Sequence, residues 1–326
     1  MVSGFRFSRM RAGRIFSLLA ILLATLFTSA CSASPPCYHS RWLDKQACET
    51  RVISKIPYAT LKQTLTRYVE DKTKAGSVQD VGIYFRDLED GPHFGVNEYE
   101  NFAAASLLKL PMVILYLSLA EEDPALLSLK LIVPAGLDEL YKVAYAPPEQ
   151  LVAGKAYSIE ELLLRTTKYS DNVAFIILRQ YLQDRYGKES FIDESYRHLG
   201  LVPEINDRYY VISVSRYASM FKLIYSASYL NSATSEKFVK MMLAATFDKG
   251  LLQGLPEGTP LANKFGVMER DGLIQLHDCG IVYYPKNPYV LCVMTRGHSY
   301  EELEKVLGDV SRMVYEEVDA RRGRRP

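Results

Sequence analysis

From residue 58 onward the chain alternates between two hydrophobic periods. In "YATLKQTLTRYVEDKTKA" apolar residues recur at helical spacing with polar ones between, which predicts a helix from about Tyr58. "VGIYFRDL" and "HFGVN", separated by the turn signal "EDGP", predict a pair of strands. The segment from Phe102 to Ala120 is apolar nearly all round, which predicts a helix buried inside a larger fold, with Pro111 kinking it or tightening its end. "SIEELLLRTTKYSDNVAFIILRQYLQ" opens with Ser158 and Glu161 at capping-box spacing, and "SRYASMFKLIYSASYL" and "SEKFVKMMLAA" predict further helices. Strand character returns in "LANKFGV" and in a hairpin of "CGIVYY" and "YVLCVM" around "PKNP", before a closing helix, "SYEELEKVLGDVSRMVYEEV". The order is helix, strands, helical insert, strands, helix. It predicts an α+β fold whose antiparallel sheet is formed by both ends of the chain and flanked by the terminal helices. An all-helical subdomain lies between, with a cleft where the two regions meet.

The residues before this pattern change the picture of where the protein works. Arg6, Arg9, Arg11 and Arg14 precede an apolar run from Ile15 to Phe27 and the small residues "TSAC" ending at Cys31, which is the layout of an export signal. At about thirteen residues the run falls short of the roughly twenty that a membrane-crossing helix needs. The stretch resembles a bacterial lipoprotein signal with Cys31 as the lipidated residue, although Thr28 stands where that pattern usually has Leu. Simple cleavage near Ala30 or Ala33, or an uncleaved anchor, is the alternative. The expected division is an export segment at 1–31, a linker at 32–57, one domain at 58–320 and a basic tail at 321–326. The expected location is the cell envelope, either membrane-anchored or secreted.

Composition adds an exclusion. A chain of 326 residues, 48% hydrophobic and 24% charged with a net charge of +1, is ordinary for a globular protein and argues against a nucleic-acid partner. Cys37 and Cys48 could close a small disulfide loop in an oxidising compartment. If Tyr284 faces Tyr289 across the hairpin, Cys279 falls opposite Met294 and Cys292 opposite Ile281, which predicts two separate buried thiols. The five histidines are scattered and no cysteine lies at metal-ligand spacing from them, so neither a metal nor a cofactor is expected.

Candidate chemistry sits at three separated places. Ser106 and Lys109 are one helical turn apart in the apolar segment, where each needs a partner if water is excluded. A buried lysine loses its preference for the charged form, and a neutral amine can activate a serine. A second pair at the same spacing, Ser219 and Lys222, lies on an amphipathic helix and is expected to be solvated. The second place is Ser170, Asp171 and Asn172 in "KYSDNVAFIIL", a good helix start in any protein. The third is Lys264, Phe265 and Gly266 in "NKFGV".

In this order the three places resemble the active-site set of the class A β-lactamase and penicillin-binding protein superfamily, S-x-x-K, S-D-N and K-T-G. The resemblance runs from about Tyr58 to Val318 and implies a β-lactamase/transpeptidase-like fold. It implies that Ser106 is acylated, Lys109 takes its proton, and Ser170 passes a proton to the leaving nitrogen. Lys264 would hold Ser170 and attract a substrate carboxylate, Asn172 would bind the substrate amide, and Asp171 would turn inward. The backbone N–H groups of Ser106 and Val267 would form the oxyanion hole, with Gly266 leaving room for substrate against the strand.

Two departures bear on the substrate. Phe265 replaces a hydroxyl residue that helps bind the carboxylate, a task that Arg296 or His277 could take over. The loop after Gly200 offers only "VPEIN", with Val202 where class A β-lactamases carry the Glu that activates the deacylating water; Glu204 and Asp207 are out of register. The expected function is therefore a D-Ala-D-Ala carboxypeptidase or transpeptidase acting on peptidoglycan stem peptides. The alternatives are a β-lactamase with another deacylating residue and a non-catalytic wall-binding lipoprotein.

Overall fold

The computed structural model describes residues 58–322 except 90, 188–189, 202–203 and 206–208. The export segment with Cys31, the linker with Cys37 and Cys48, Asp207 and the last four residues of the tail lie outside the described residues, as does the side chain of Glu204. No helix among the described residues is long and apolar enough to cross a membrane.

Helix α1 (Ala59–Lys74) buries Leu61, Leu65 and Val69, one face at helical spacing. Strand β1 (Asp80–Asp87) is followed by β2 (His93–Val96). Near the other end of the chain come β8 (Leu261–Arg270), β9 (Leu273–Val282), β10 (Tyr289–Gly297) and the last helix, α8 (Tyr300–Arg322). These five strands form one antiparallel sheet in the order β2-β1-β10-β9-β8, so strands from the two ends of the chain meet at β1 and β10. Because β1 and β10 are covered on both faces they are apolar nearly throughout, unlike half-exposed strands that alternate. Ile83, Phe85, Leu291 and Val293 pack with α1 and α8 residues such as Leu65 and Val310, while Tyr84, Val290 and Met294 pack toward the helical region.

That region includes α2 (Lys109–Glu122), α3 (Ile159–Lys168), α4 (Asn172–Tyr186), α5 (Ser190–His198), α6 (Val214–Tyr225) and α7 (Ser232–Leu243). The capping box at the start of α3 is formed: Glu161 N–H donates to Ser158 Oγ at 3.2 Å, and Ser158 N–H donates to Glu161 at 2.7 Å. The α+β arrangement, with a sheet made from both ends of the chain, is the one the pattern predicts, but the region between is not all-helical: Lys130–Ile132 pairs with Ala156–Ser158, and Tyr210–Ser213 pairs with both Asn101–Ala103 and Glu204–Ile205.

Three local expectations are corrected. The apolar run from Phe102 is not one helix: Asn101–Ala103 is strand β3, Ala105–Leu108 is a 3-10 turn, and the α-helix starts at Lys109. Pro111 therefore sits in the first helical turn, where its missing N–H costs nothing. The predicted basic tail is partly helix, since α8 continues through Arg321 and Arg322. In the β9–β10 hairpin Tyr289 faces Val282, which brings Cys279 and Cys292 directly opposite each other, joined by a disulfide. The register differs from expectation because Tyr283 leaves the ladder, its N–H bonding Pro260 O, and because Pro288 has no N–H to pair.

Candidate active site

The serine of the first motif stands at the head of a helix rather than within it. Ala105 holds a left-handed conformation, φ 45°, so the chain turns sharply from β3 into the 3-10 turn that carries Ser106. Every side of this turn is tied down. Ala103 N–H donates to Gln275 Oε1 at 2.8 Å, and His277 Nε2 lies 2.9 Å from Ala103 O. The hydroxyls of Tyr217 and Tyr196 donate to the carbonyls of Leu107 and Leu108 at 3.1 and 2.9 Å. A Cβ on Gly266 would lie 2.9 Å from Leu107 Cγ and 3.3 Å from Leu107 N, so only glycine lets strand β8 come this close to the turn.

The first lysine is enclosed. Lys109 is 3% exposed, and its Nζ lies 2.5 Å from Ser170 O, 2.6 Å from Asn172 Oδ1 and 3.1 Å from Ser170 Oγ. Burial pushes its pKa down to about 7, against an opposing pull from the Asp171 carboxylate. A neutral amine has two N–H groups, enough for the two stronger acceptors, and one lone pair left for a hydroxyl proton.

Ser170 is the second backbone outlier of the site, at φ 56°. Two non-glycine residues forced left-handed on either side of one amine are the kind of strain that surrounding structure must enforce. Asp171 does that here. Its carboxylate accepts from Val173 and Ala174 N–H, capping α4, and is bonded by Arg165 Nε at 2.8 Å; Arg165 in turn donates to Glu149 O. Asn172 is engaged at both ends, accepting from Lys109 and donating to Leu140 O at 3.1 Å.

Strand β8 is the edge of the sheet and carries the third motif. Lys264 is 1% exposed, donates to Phe265 O at 2.6 Å, and places its Nζ 4.3 Å from the centre of the Phe265 ring. Burial, with Lys109 adding to it, drives the Lys264 pKa well below that of an ordinary lysine. Behind the strand, buried Asp278 bonds Asn263 Nδ2 and Leu251 N–H, and burial raises its pKa to about 6. Val267, next after Gly266, is half-buried on the same edge.

The structure thus gathers Lys109, Ser170, Asn172, Lys264, Gly266 and the Ser106 turn, but not every expected partner. The Lys109 amine bonds the Ser170 loop and the Lys264 amine bonds its neighbour's carbonyl. Among the described residues neither of these bonds goes to Ser106, nor does Lys264 bond Ser170. The two candidates for a carboxylate-binding cation are corrected. Arg296 lies on β10, two strands away from β8, and is held by Asp80 at 2.7 Å, Glu100 at 3.6 Å and Asn101 O at 2.7 Å. His277 is fully buried beneath Ala103 and accepts from Thr295 N–H at 3.3 Å, and burial lowers its pKa to about 4, so it is a neutral brace. The second serine–lysine pair, Ser219 and Lys222, is exposed on α6. The residues missed by sequence were the supports, Gln275, Tyr196 and Tyr217. Gln275 and His277 did leave a trace: with Asp278 they are the polar side chains of a strand that is otherwise apolar apart from Gly280.

A family model described as the beta-lactamase enzyme family matches residues 60–318. Among solved structures, a PBP-A structure is 21% identical, covering 83% of this chain and all of its own, with a TM-score of 0.69. A β-lactamase from Chitinophaga pinensis is 22% identical over 78% of this chain and 99% of its own, at a TM-score of 0.66. The TLA-3 extended-spectrum β-lactamase is 19% identical over 78% of this chain and 98% of its own, at 0.68. A search of curated protein sequences returns no match.

Proposed function

The chain belongs to the beta-lactamase enzyme family, and from that membership we propose that it is a serine hydrolase or transferase that works through an acyl-Ser106 intermediate on peptide amides of cell-wall stem-peptide type. The observation that carries the reading is the enclosed, proton-poor amine of Lys109, 3.1 Å from Ser170 Oγ at the foot of the strained Ser106 turn. Neutral Lys109 takes the Ser106 hydroxyl proton as Oγ attacks the carbonyl carbon. Backbone N–H groups of Ser106 and Val267 receive the developing oxyanion. As the C–N bond breaks, the proton on Lys109 passes through the Ser170 hydroxyl to the leaving nitrogen, and the amine departs. Water or a second amine then attacks the Ser106 ester, releasing acid or new amide and returning the proton to Ser106.

A β-lactamase is the second reading, favoured by the names of two of the three similar structures above, and it differs only in how fast the ester is hydrolysed. Intact-protein mass spectrometry tests both, following the protein with a penicillin and, separately, with an uncharged activated ester. An adduct that needs Ser106 and forms at least about a hundredfold more slowly in Lys109→Ala is expected. A persistent adduct favours the peptidase, and a transient one with the drug consumed favours the β-lactamase. No adduct from either reagent, or an adduct that survives Ser106→Ala, overturns the proposal.

A further inference from the structure

The end of the domain away from the catalytic strand carries an open cavity that the acyl-transfer chemistry does not use. It has a volume of about 450 Å³ and lies between helix α1 and strand β2, which is the opposite edge of the sheet from β8. Its floor is apolar: Pro92 and Phe94 are half-buried there, and Phe94 is backed by the rings of Tyr58 and Phe85 at 6.4 and 5.2 Å. Lys62 and Arg67 stand exposed along the α1 side, and among the described residues neither is in an ion pair. Glu70, further along the helix, is the one carboxylate that lines the cavity among the described residues.

A second basic element ends at the same place. The Arg321 guanidinium of α8 lies 4.2 Å from the centre of the Tyr58 ring, and Arg322, Arg324 and Arg325 follow it in the sequence. Glu317 bonds Arg321 at 2.6 Å, which leaves the positive charges here in excess. The chain also enters the domain at this point, since Tyr58 caps the start of α1 and residues 32–57 join it to the export segment expected at 1–31. Cations beside an apolar floor narrow the choice of occupant. A free anion would leave the rings wet, and a neutral hydrocarbon would leave the cations without a partner. An amphiphile with an anionic head satisfies both. The arginine-rich chain end and the entry of an export segment favour a lipid over an acidic peptide.

We propose that the cavity between α1 and β2 docks the domain on an anionic phospholipid bilayer, with a lipid phosphate on Lys62 and Arg67, the adjoining apolar part of that lipid against Pro92 and Phe94, and the arginines from 321 onward on neighbouring headgroups. The assignment does not depend on the acyl-Ser106 reading, but it gives that site a direction. β8 is four strand spacings from β2, about 19 Å across the sheet. A domain seated on lipid by its β2 edge turns the edge that carries Lys264 and Gly266 away from the bilayer. Each cation within reach of an anionic bilayer strengthens binding about fivefold.

The test is sedimentation of the full-length protein with vesicles of phosphatidylcholine, alone or with a third of it replaced by phosphatidylglycerol. The readout is the ratio of the two partition coefficients, compared between variants so that the N-terminal arginines and apolar run cancel. Lys62→Gln with Arg67→Gln is expected to lower the ratio about tenfold or more. Ala59→Asp, which sets a carboxylate at the cavity's mouth where a helix start tolerates it, is expected to lower it severalfold. Lys237→Gln with Lys240→Gln on α7 removes the same charge elsewhere and is expected to change it about twofold at most. An equal loss in that control pair, or no loss in the first pair and Ala59→Asp, overturns the docking site. Suppression of the preference by millimolar glycerol 3-phosphate would make it a site for a soluble phosphate and overturns the lipid assignment. On the anionic vesicles amide exchange in residues 92–97 is expected to slow severalfold while that of β8 is unchanged; slowing in β8 instead overturns the orientation.

Discussion

Lys109 concentrates in one side chain what the site needs from its surroundings. Its amine is useful as a base only when neutral, and burial brings its pKa to about 7 while Asp171 restrains the shift. Acylation of Ser106 is therefore expected to rise with pH through about 7 and level off above it, with the protonated enzyme inactive below. Asp171→Asn removes the charge that favours the protonated form, so the limb moves to lower pH; a stopped-flow pH profile of acylation reads both, and a limb unmoved by Asp171→Asn excludes this pairing. Ser106 and Lys109 were legible because an apolar segment has few reasons to contain them. The bonding of Lys109 was legible only in part: Ser170 and Asn172 belong to a motif, but the Ser170 carbonyl that takes one N–H is a backbone atom with no signature in the sequence. Arg296 was offered as a substrate ligand because a strand's position in the sheet order cannot be read from its own residues, and His277 because its burial beneath Ala103, though it lies directly opposite Gly266, cannot be read there either.

At the scale of elements, the decisive contact is strand β8 against the 3-10 turn. Gly266→Ala would set a methyl against Leu107 Cγ and the Leu107 backbone, one residue from the nucleophile, with no flexible chain end to yield. A loss of acylation rate of about tenfold or more is expected, with little change in global unfolding by denaturant; an unaltered rate would mean that the turn can shift freely. The strands, α1, the helices of the middle region and the capping box were legible from period and end signals. The start of α2 was not, because a run that is apolar on all sides has no period to separate strand from helix. The hairpin register failed for a related reason: which tyrosine ends a ladder depends on Pro260, which bonds Tyr283 from more than twenty residues earlier in the chain and is invisible in the local pattern.

On the scale of the whole molecule, the sheet is completed only by joining what the chain makes first to what it makes last. Asp80 and Arg296 are 216 residues apart in sequence yet paired at 2.7 Å, and β1 has β10 on one side and only the four-residue β2 on the other. A chain ending at residue 260 lacks β8, β9, β10 and α8, and is expected to show no cooperative unfolding transition and rapid proteolysis; a sigmoidal melt from that fragment would mean the first two strands need no partner. The same closure imposes an order in time. Val81, Ile83 and Phe85 leave the ribosome long before Val293 and Leu291 exist to cover them, so the earliest strand must wait as an exposed apolar segment. The helices made in the interval can pack locally and draw the two ends together, which makes the last two strands the step that commits the fold.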